Sequence, residues 1–180
     1  MERATARLSG AGTPGEVWRA GVAAGMLAAA AMILFMAAAA AFDGDALGPL
    51  RAVGTTLRGR EALSGGAGTI AWAVLLHLAV GAALGIPYAA VVPRDMPLHS
   101  SVVLGAGCAL VVMAFAVPLL VPAVSPVLAD RMPAHGGAWV IAHALFGAVV
   151  GIAPELRPRI GARRGARARG MPVLRPRTSA

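Results

Sequence analysis

Charged residues are scarce in this sequence, lysine is absent and cysteine occurs only once. Just 13% of the 180 residues are charged, and all 16 basic residues are arginine. Hydrophobic residues make up 58% of the chain and the mean hydropathy is +0.73, which is too apolar for an ordinary soluble domain. Since Cys108 is alone, neither an intrachain disulfide nor a cysteine metal cluster is possible. A lipid bilayer is therefore the expected solvent.

Residues arranged for catalysis are also missing. Within the apolar blocks, no serine, cysteine or carboxylate is placed to act as a nucleophile or a base. No glycine loop of the phosphate-binding type occurs. We therefore predict that the protein is not an enzyme. The net charge of +8 would suggest nucleic-acid binding in a soluble protein, but membrane topology explains the arginines, so no nucleic-acid partner is expected.

Four apolar blocks are each long enough to cross the hydrocarbon core, which takes about 20 helical residues. They predict an all-α integral membrane fold with helices at about 17–42, 69–92, 98–124 and 138–153. Thr13, Pro14 and Glu16 have the pattern of a capping box at the start of the first helix. A cleaved signal peptide is the competing interpretation of the first block, but its apolar region would be only about 7 to 15 residues long.

The predicted helices divide the chain into three parts. Residues 1–16 are expected to be a cytoplasmic N-terminal segment, residues 17–155 a four-helix membrane domain, and residues 156–180 an arginine-rich cytoplasmic tail.

Two of the connecting segments carry patterns of their own. In the loop at 43–68, apolar residues recur at helical spacing, which predicts a short interfacial helix. These residues are Leu47, Leu50, Val53 and Leu57. Pro118 and Pro122 are expected to distort the far end of the third helix, and Ser125 is predicted to cap the segment that follows.

The distribution of arginine predicts the orientation, because positively charged loops stay on the cytoplasmic side. Most of the arginines lie in the tail, near the N-terminus and in the turn at Arg94. Both termini are therefore expected to be cytoplasmic, and the tail is expected to contact anionic lipid headgroups. The richness in arginine, alanine, glycine and proline suggests a GC-rich bacterial genome. The predicted location is therefore the bacterial cytoplasmic (inner) membrane.

A ten-residue segment occurs twice. HLAVGAALGI at residues 77–86 returns as HALFGAVVGI at residues 143–152, matching at the histidine, both glycines, one alanine and the isoleucine. A tryptophan precedes each copy, Trp72 in one case and Trp139 in the other. The repetition predicts two tandem helix-hairpin repeats related by a parallel pseudo-twofold axis along the membrane normal.

Each copy places its histidine and two glycines on one face of a helix, because these residues are four positions apart. The candidate site residues are therefore His77, Gly81, Gly85, His143, Gly147 and Gly151. A bare glycine stripe allows close approach by another helix or by a flat cofactor. Titratable groups at membrane depth cost free energy and so indicate function by default.

Three interpretations of the histidine pair remain open. In the structural one, each imidazole bonds a backbone carbonyl or the other imidazole, and the glycines form a helix seam. In the second, His77 and His143 are the axial ligands of a b-type haem. In the third, they join other polar residues on the same side in a site for zinc, copper or nickel. Those residues are Asp43, Asp45, Asp130 and His135. Methionines such as Met26 and Met32, together with Cys108, are predicted to fill gaps in the bundle.

Seven residues carry a family resemblance: His77, Gly81, Gly85, Tyr88, His143, Gly147 and Gly151. At these positions the chain resembles small uncharacterised bacterial inner-membrane proteins with four helices, over roughly residues 17–155. The resemblance implies a cytoplasmic-membrane location and no known activity.

The leading functional prediction is an accessory or structural membrane protein without a cofactor. It would associate with copies of itself, or with a partner in a membrane complex, through its glycine and alanine faces. The alternative is a haem-binding redox or sensing subunit, and the second alternative is a metal-ion transport or binding protein.

Overall fold

The computed structural model describes residues 13–132 and 136–157, and all regular structure in these ranges is helical. The helices are α1 (Pro14–Ala41), α2 (Gly48–Arg58), α3 (Ala67–Val91), α4 (Leu98–Phe115), α5 (Val121–Val124), α6 (Pro126–Arg131) and α7 (Gly136–Val150). A 3₁₀ segment (Gly59–Ser64) follows α2, and a helical turn at 153–157 follows α7. Most of the predicted N-terminal segment, His135 and nearly all of the tail lie outside the described residues.

Four helices are long and apolar enough to cross a membrane, which confirms this part of the predicted fold. The four candidate spans are Pro14–Ala41, Ala67–Val91, Leu98–Val124 and Gly136–Arg157. Many large apolar side chains on these helices are exposed, as expected for surfaces that face lipid rather than water.

The start of α1 is fixed by local hydrogen bonds. The backbone N–H of Glu16 donates to the Thr13 hydroxyl at 3.3 Å, and the Thr13 N–H donates to the Glu16 carboxylate at 3.0 Å. The predicted capping box is confirmed, and it satisfies two amides that no helical carbonyl can reach. Helix α1 therefore begins at Pro14 rather than at the predicted Val17.

Helices α1 and α7 form the centre of the assembly. Helix α1 packs along α3 on one side and along α7 on the other, while α4 packs on α7. Small residues permit these contacts, since Ala20, Ala24 and Ala28 lie four positions apart on α1 and are fully buried. Larger side chains, among them Met32 and Phe146, complete the core between α1 and α7.

The third span is interrupted where the sequence predicts a distortion. One π-helical turn (Ala116–Leu120) separates α4 from α5. Pro118 and Pro122 have no N–H to donate to the carbonyls four residues earlier, so a regular α-helical ladder is not available here. After Ser125, whose hydroxyl accepts a hydrogen bond from the Leu128 N–H at 3.3 Å, the chain continues as α6.

Helices α2 and α6 lie together at one end of the assembly. The helix predicted within the loop at 43–68 forms as α2, and its Thr55 hydroxyl lies 2.8 Å from the Ser125 hydroxyl in a buried hydrogen bond. Arg58 ties the same helix to α3 by donating to the Thr69 hydroxyl at 3.1 Å. We call this end, where α1 ends and α3 and α7 begin, the histidine end.

Candidate functional site at the histidine end

The glycine stripe of α3 is occupied by the backbone of α1. A Cβ atom added to Gly81 would lie 2.6 Å from the Gly25 carbonyl oxygen and 2.6 Å from the Ala29 Cβ. One turn further along α3, a Cβ atom added to Gly85 would likewise be too close to the backbone of Gly21 and Gly25. Only glycine allows these two helices to approach so closely.

The glycine stripe of α7 is occupied by the backbone of α4. Gly147 and Gly105 face each other, and a Cβ atom on Gly147 would lie 2.7 Å from the Ala106 Cα. A Cβ atom on Gly151 would lie 2.6 Å from the Val102 Cα. A bare glycine stripe can admit either a helix or a flat cofactor. In this structure a helix fills both stripes. Each stripe faces the preceding membrane helix.

The hydrogen bond of His143 determines where its proton lies. Its Nδ1 atom is 2.8 Å from the backbone carbonyl oxygen of Trp139, one helical turn earlier. Because a carbonyl oxygen only accepts, Nδ1 carries the proton, and Nε2 of the neutral ring keeps a free lone pair. The indole of Trp139 lies beside the imidazole, with ring centroids 6.0 Å apart. His143 thus matches the structural interpretation and still keeps a ligand atom.

His77 is held differently, although the sequence pattern is the same. It makes no hydrogen bond within the described parts of the chain. It lines a small apolar cleft together with side chains from α1, α2 and α7. The other lining residues are Met32, Ile33, Met36, Ala37, Ala46, Pro49, Leu50, Val53 and Trp139. Trp139 thus lies near both predicted histidines, since it lines the cleft with His77 and its ring is beside that of His143.

A porphyrin does not fit beside these histidines. The cleft has a volume of about 20 Å³, and one bound water already needs about 10–15 Å³. The glycines that were expected to provide clearance for the ring are covered by α1 and α4. We therefore derive no chemistry through haem.

Two of the acidic residues at this end line a neighbouring pocket. Asp43 and Asp45 line it with Arg131, and Asp45 forms an ion pair with Arg51 at 2.9 Å. No group of three or more histidine, cysteine, aspartate or glutamate side chains within residues 13–132 and 136–157 is placed to hold a metal ion. The mixed nitrogen and oxygen site predicted from sequence is therefore not assembled by these residues, and its proposed member His135 lies outside them.

Arg157, at the opposite end, has a role that sequence analysis missed. Its side chain is only 4% exposed and donates hydrogen bonds to the carbonyl oxygens of Ala89 and, at 2.9 Å, Val92. In a continuous helix the N–H four residues after Ala89 would satisfy that carbonyl, but this residue is Pro93, which has no N–H. The first arginine of the predicted tail therefore caps the end of α3. Pro93 was the feature of the sequence that could have indicated the need for such a cap.

A second polar contact at that end joins α3 to α4. The Tyr88 hydroxyl donates to the carbonyl oxygen of Ser101 at 2.5 Å and lies 3.0 Å from the Ser101 hydroxyl. Because Ser101 is fully buried, its hydroxyl cannot reach water, and Tyr88 supplies it with a hydrogen-bond partner. Tyr88 was named from the sequence only as part of the family resemblance, and the structure adds this contact.

Searches of protein-family models, curated proteins and solved structures found no match to this chain.

Proposed function

We propose that this chain is a multi-pass protein of the bacterial cytoplasmic membrane with a non-catalytic accessory or structural role. The observation that carries the proposal is the hydrogen bonding of the polar groups within the candidate spans. Tyr88, Ser101, His143 and Arg157 all bond to other groups of the protein, and most of these bonds are to backbone carbonyls. Such bonds stabilise the arrangement of helices, which is what a structural or accessory role requires.

The same proposal includes an internal duplication. The crossing of α1 and α3 at Gly25 and Gly81 corresponds to the crossing of α4 and α7 at Gly105 and Gly147. Equivalent glycines in the two histidine segments thus have equivalent neighbours, which supports two tandem helix hairpins. The apolar outer faces of α3 and α4 would contact lipid, another copy of the chain or a partner in a membrane complex.

Reporter fusions test the proposed orientation. With both termini cytoplasmic, a reporter joined after Ala180 should show cytoplasmic activity, and one inserted at Ser64 should show activity outside the membrane. Alkaline phosphatase, which is active outside, and green fluorescent protein, which is fluorescent inside, give opposite readouts at each position. Activity of the phosphatase at Ala180 together with fluorescence at Ser64 would show that the orientation is the opposite of the one proposed.

An optical spectrum tests the non-catalytic role against the haem alternative. Protein expressed with an ample haem supply and purified in detergent should show no Soret band in its oxidised or reduced form, because the cleft at His77 lacks room for a porphyrin. A stoichiometric Soret band that both His77→Ala and His143→Ala abolish would establish a cytochrome-like subunit instead. A band that persists in both variants would place the haem elsewhere and leave the histidines structural.

A further inference from the structure

The guanidinium group of Arg157 is a buried cation that the protein satisfies only in part. Its Nη2 group donates to the carbonyl oxygens of Ala89 and Val92. Its Nε atom is buried and has no hydrogen-bond partner, and Nη1 makes no hydrogen bond within the described residues. A guanidinium has five N–H donors, so the two bonds made by Nη2 leave three of them without an acceptor among these residues.

No carboxylate pairs with this charge within the part of the chain that the structure describes. Asp95 and Glu155 are the acids closest in sequence to Val92 and Arg157, and both are exposed. Glu16, at the start of α1, accepts its hydrogen bond from the cap of that helix. Residues 158–180 contain several arginines and no acidic residue. Because a buried charge is costly unless it is paired, an anion from outside the chain would stabilise this end of the protein.

The position of Arg157 in the fold indicates where such an anion would come from. Arg157 is the last residue of the fourth candidate span, and Val92 directly follows the last residue of the second. The third span begins nearby at Leu98, and the first amides of its helix have no side-chain cap, so the positive end of the helix dipole adds to the charge. Spans end where hydrocarbon gives way to headgroups, so lipid phosphates lie at this level.

We propose that Arg157 binds the phosphate group of one anionic phospholipid in the cytoplasmic leaflet. Nη1 donates to a phosphate oxygen in a charge-assisted hydrogen bond, while Nη2 stays on the two carbonyls at the end of α3. Basic pockets between membrane helices on the cytoplasmic side are known to take headgroups of this kind. The site rests on the proposed membrane location and orientation, which the reporter fusions test separately.

Native mass spectrometry tests this site. Full-length protein in micelles that contain phosphatidylglycerol and phosphatidylcholine in equal amounts should retain one phosphatidylglycerol per chain in preference to phosphatidylcholine. The variants are compared in a Pro93→Ala background, where the restored N–H satisfies the Ala89 carbonyl without Arg157, so that the chain should still fold. In this background Arg157→Met should weaken retention about 10-fold, the effect of losing one hydrogen bond to a charged group.

Arg94→Met in the same background is the matched control, because it removes an equal charge from an exposed residue at the same end. It should weaken retention less than Arg157→Met does, since an exposed charge attracts lipid only through a screened field. Equal losses in the two variants, or no preference for phosphatidylglycerol in the unmodified protein, would overturn the site. Cytoplasmic activity of the Ala180 fusion alongside either result would leave the proposed location and orientation standing.

Inorganic phosphate distinguishes a lipid from a free anion. An excess of it should not displace the retained phosphatidylglycerol, because free phosphate has no acyl chains to anchor it beside the helices. If inorganic phosphate does displace the lipid, and its own binding is lost in Arg157→Met, the site belongs to free phosphate and the lipid assignment is wrong.

Discussion

Gly105→Ala is expected to destabilise the protein by about 1–3 kcal/mol, the usual cost of forcing extra atoms into a filled space. A Cβ atom at Gly105 would press on the Gly147 backbone of α7, where no side chain can rotate away. Gly107→Ala is the matched control on the same helix, because a Cβ atom there meets nothing within 4 Å. Alanine has a higher helix propensity than glycine, so the control should be neutral or slightly stabilising.

Unfolding in mixed micelles with increasing SDS, followed by circular dichroism, measures the difference. A double substitution distinguishes a local crossing from general loosening. Once Gly105→Ala has separated the two helices, Gly147→Ala should cost less than it does alone, because the two glycines face each other. Gly81→Ala acts on the other crossing and should add to Gly105→Ala independently. Equal stability of the Gly105 and Gly107 variants would show that α4 and α7 do not cross at this point.

Arg157→Met is expected to destabilise the protein by about 1.5–3 kcal/mol, which is typical of hydrogen bonds to charged groups. The substitution leaves the Ala89 carbonyl without a donor at a position where Pro93 supplies none. Arg94→Met is the matched control, since it removes a charge at the same end from an exposed residue. Both variants lose one positive charge, so an effect on orientation alone would be the same in the two.

A rescue experiment separates the proposed capping role from simple loss of packing. Pro93→Ala restores a backbone N–H four residues after Ala89, so the helix can satisfy that carbonyl by itself. Arg157→Met should therefore be less destabilising in the Pro93→Ala background than in the unmodified chain. The same SDS titration gives the comparison. If Arg157→Met destabilises the protein equally in both backgrounds, Arg157 stabilises it by packing and not as a hydrogen-bond donor.

The site was only partly predictable from the sequence. The repeated pattern identified His77 and His143 as a pair, and the structure places Trp139 near both of them. The same pattern predicted similar roles for both, yet only His143 bonds to the carbonyl one turn earlier. The surroundings of the two histidines also differ, since His77 lines a cleft with residues of α2 whereas His143 lies beside the ring of Trp139. Met32 packs in the core as predicted, whereas Met26 is 41% exposed and Cys108 is also exposed, so the prediction that these two fill gaps in the bundle was wrong.

Local patterns were sufficient for the elements of the fold. Four apolar blocks predicted four candidate spans, because the thickness of the hydrocarbon core sets the length of a spanning helix. The capping box at Thr13 and the π-helical turn at Pro118 follow from hydrogen-bond donors present or missing within a few residues.

Contacts between distant parts of the chain were decided only by the tertiary structure. A glycine stripe permits close approach, but it does not say which helix approaches, and the fold assigns α1 to α3 and α4 to α7. Arg157 looked like one more tail charge, and its carbonyl partner Ala89 is 68 residues away in the chain. Periodicity and local hydrogen bonding determine where helices begin and end, whereas the partner of each polar group depends on how those helices pack.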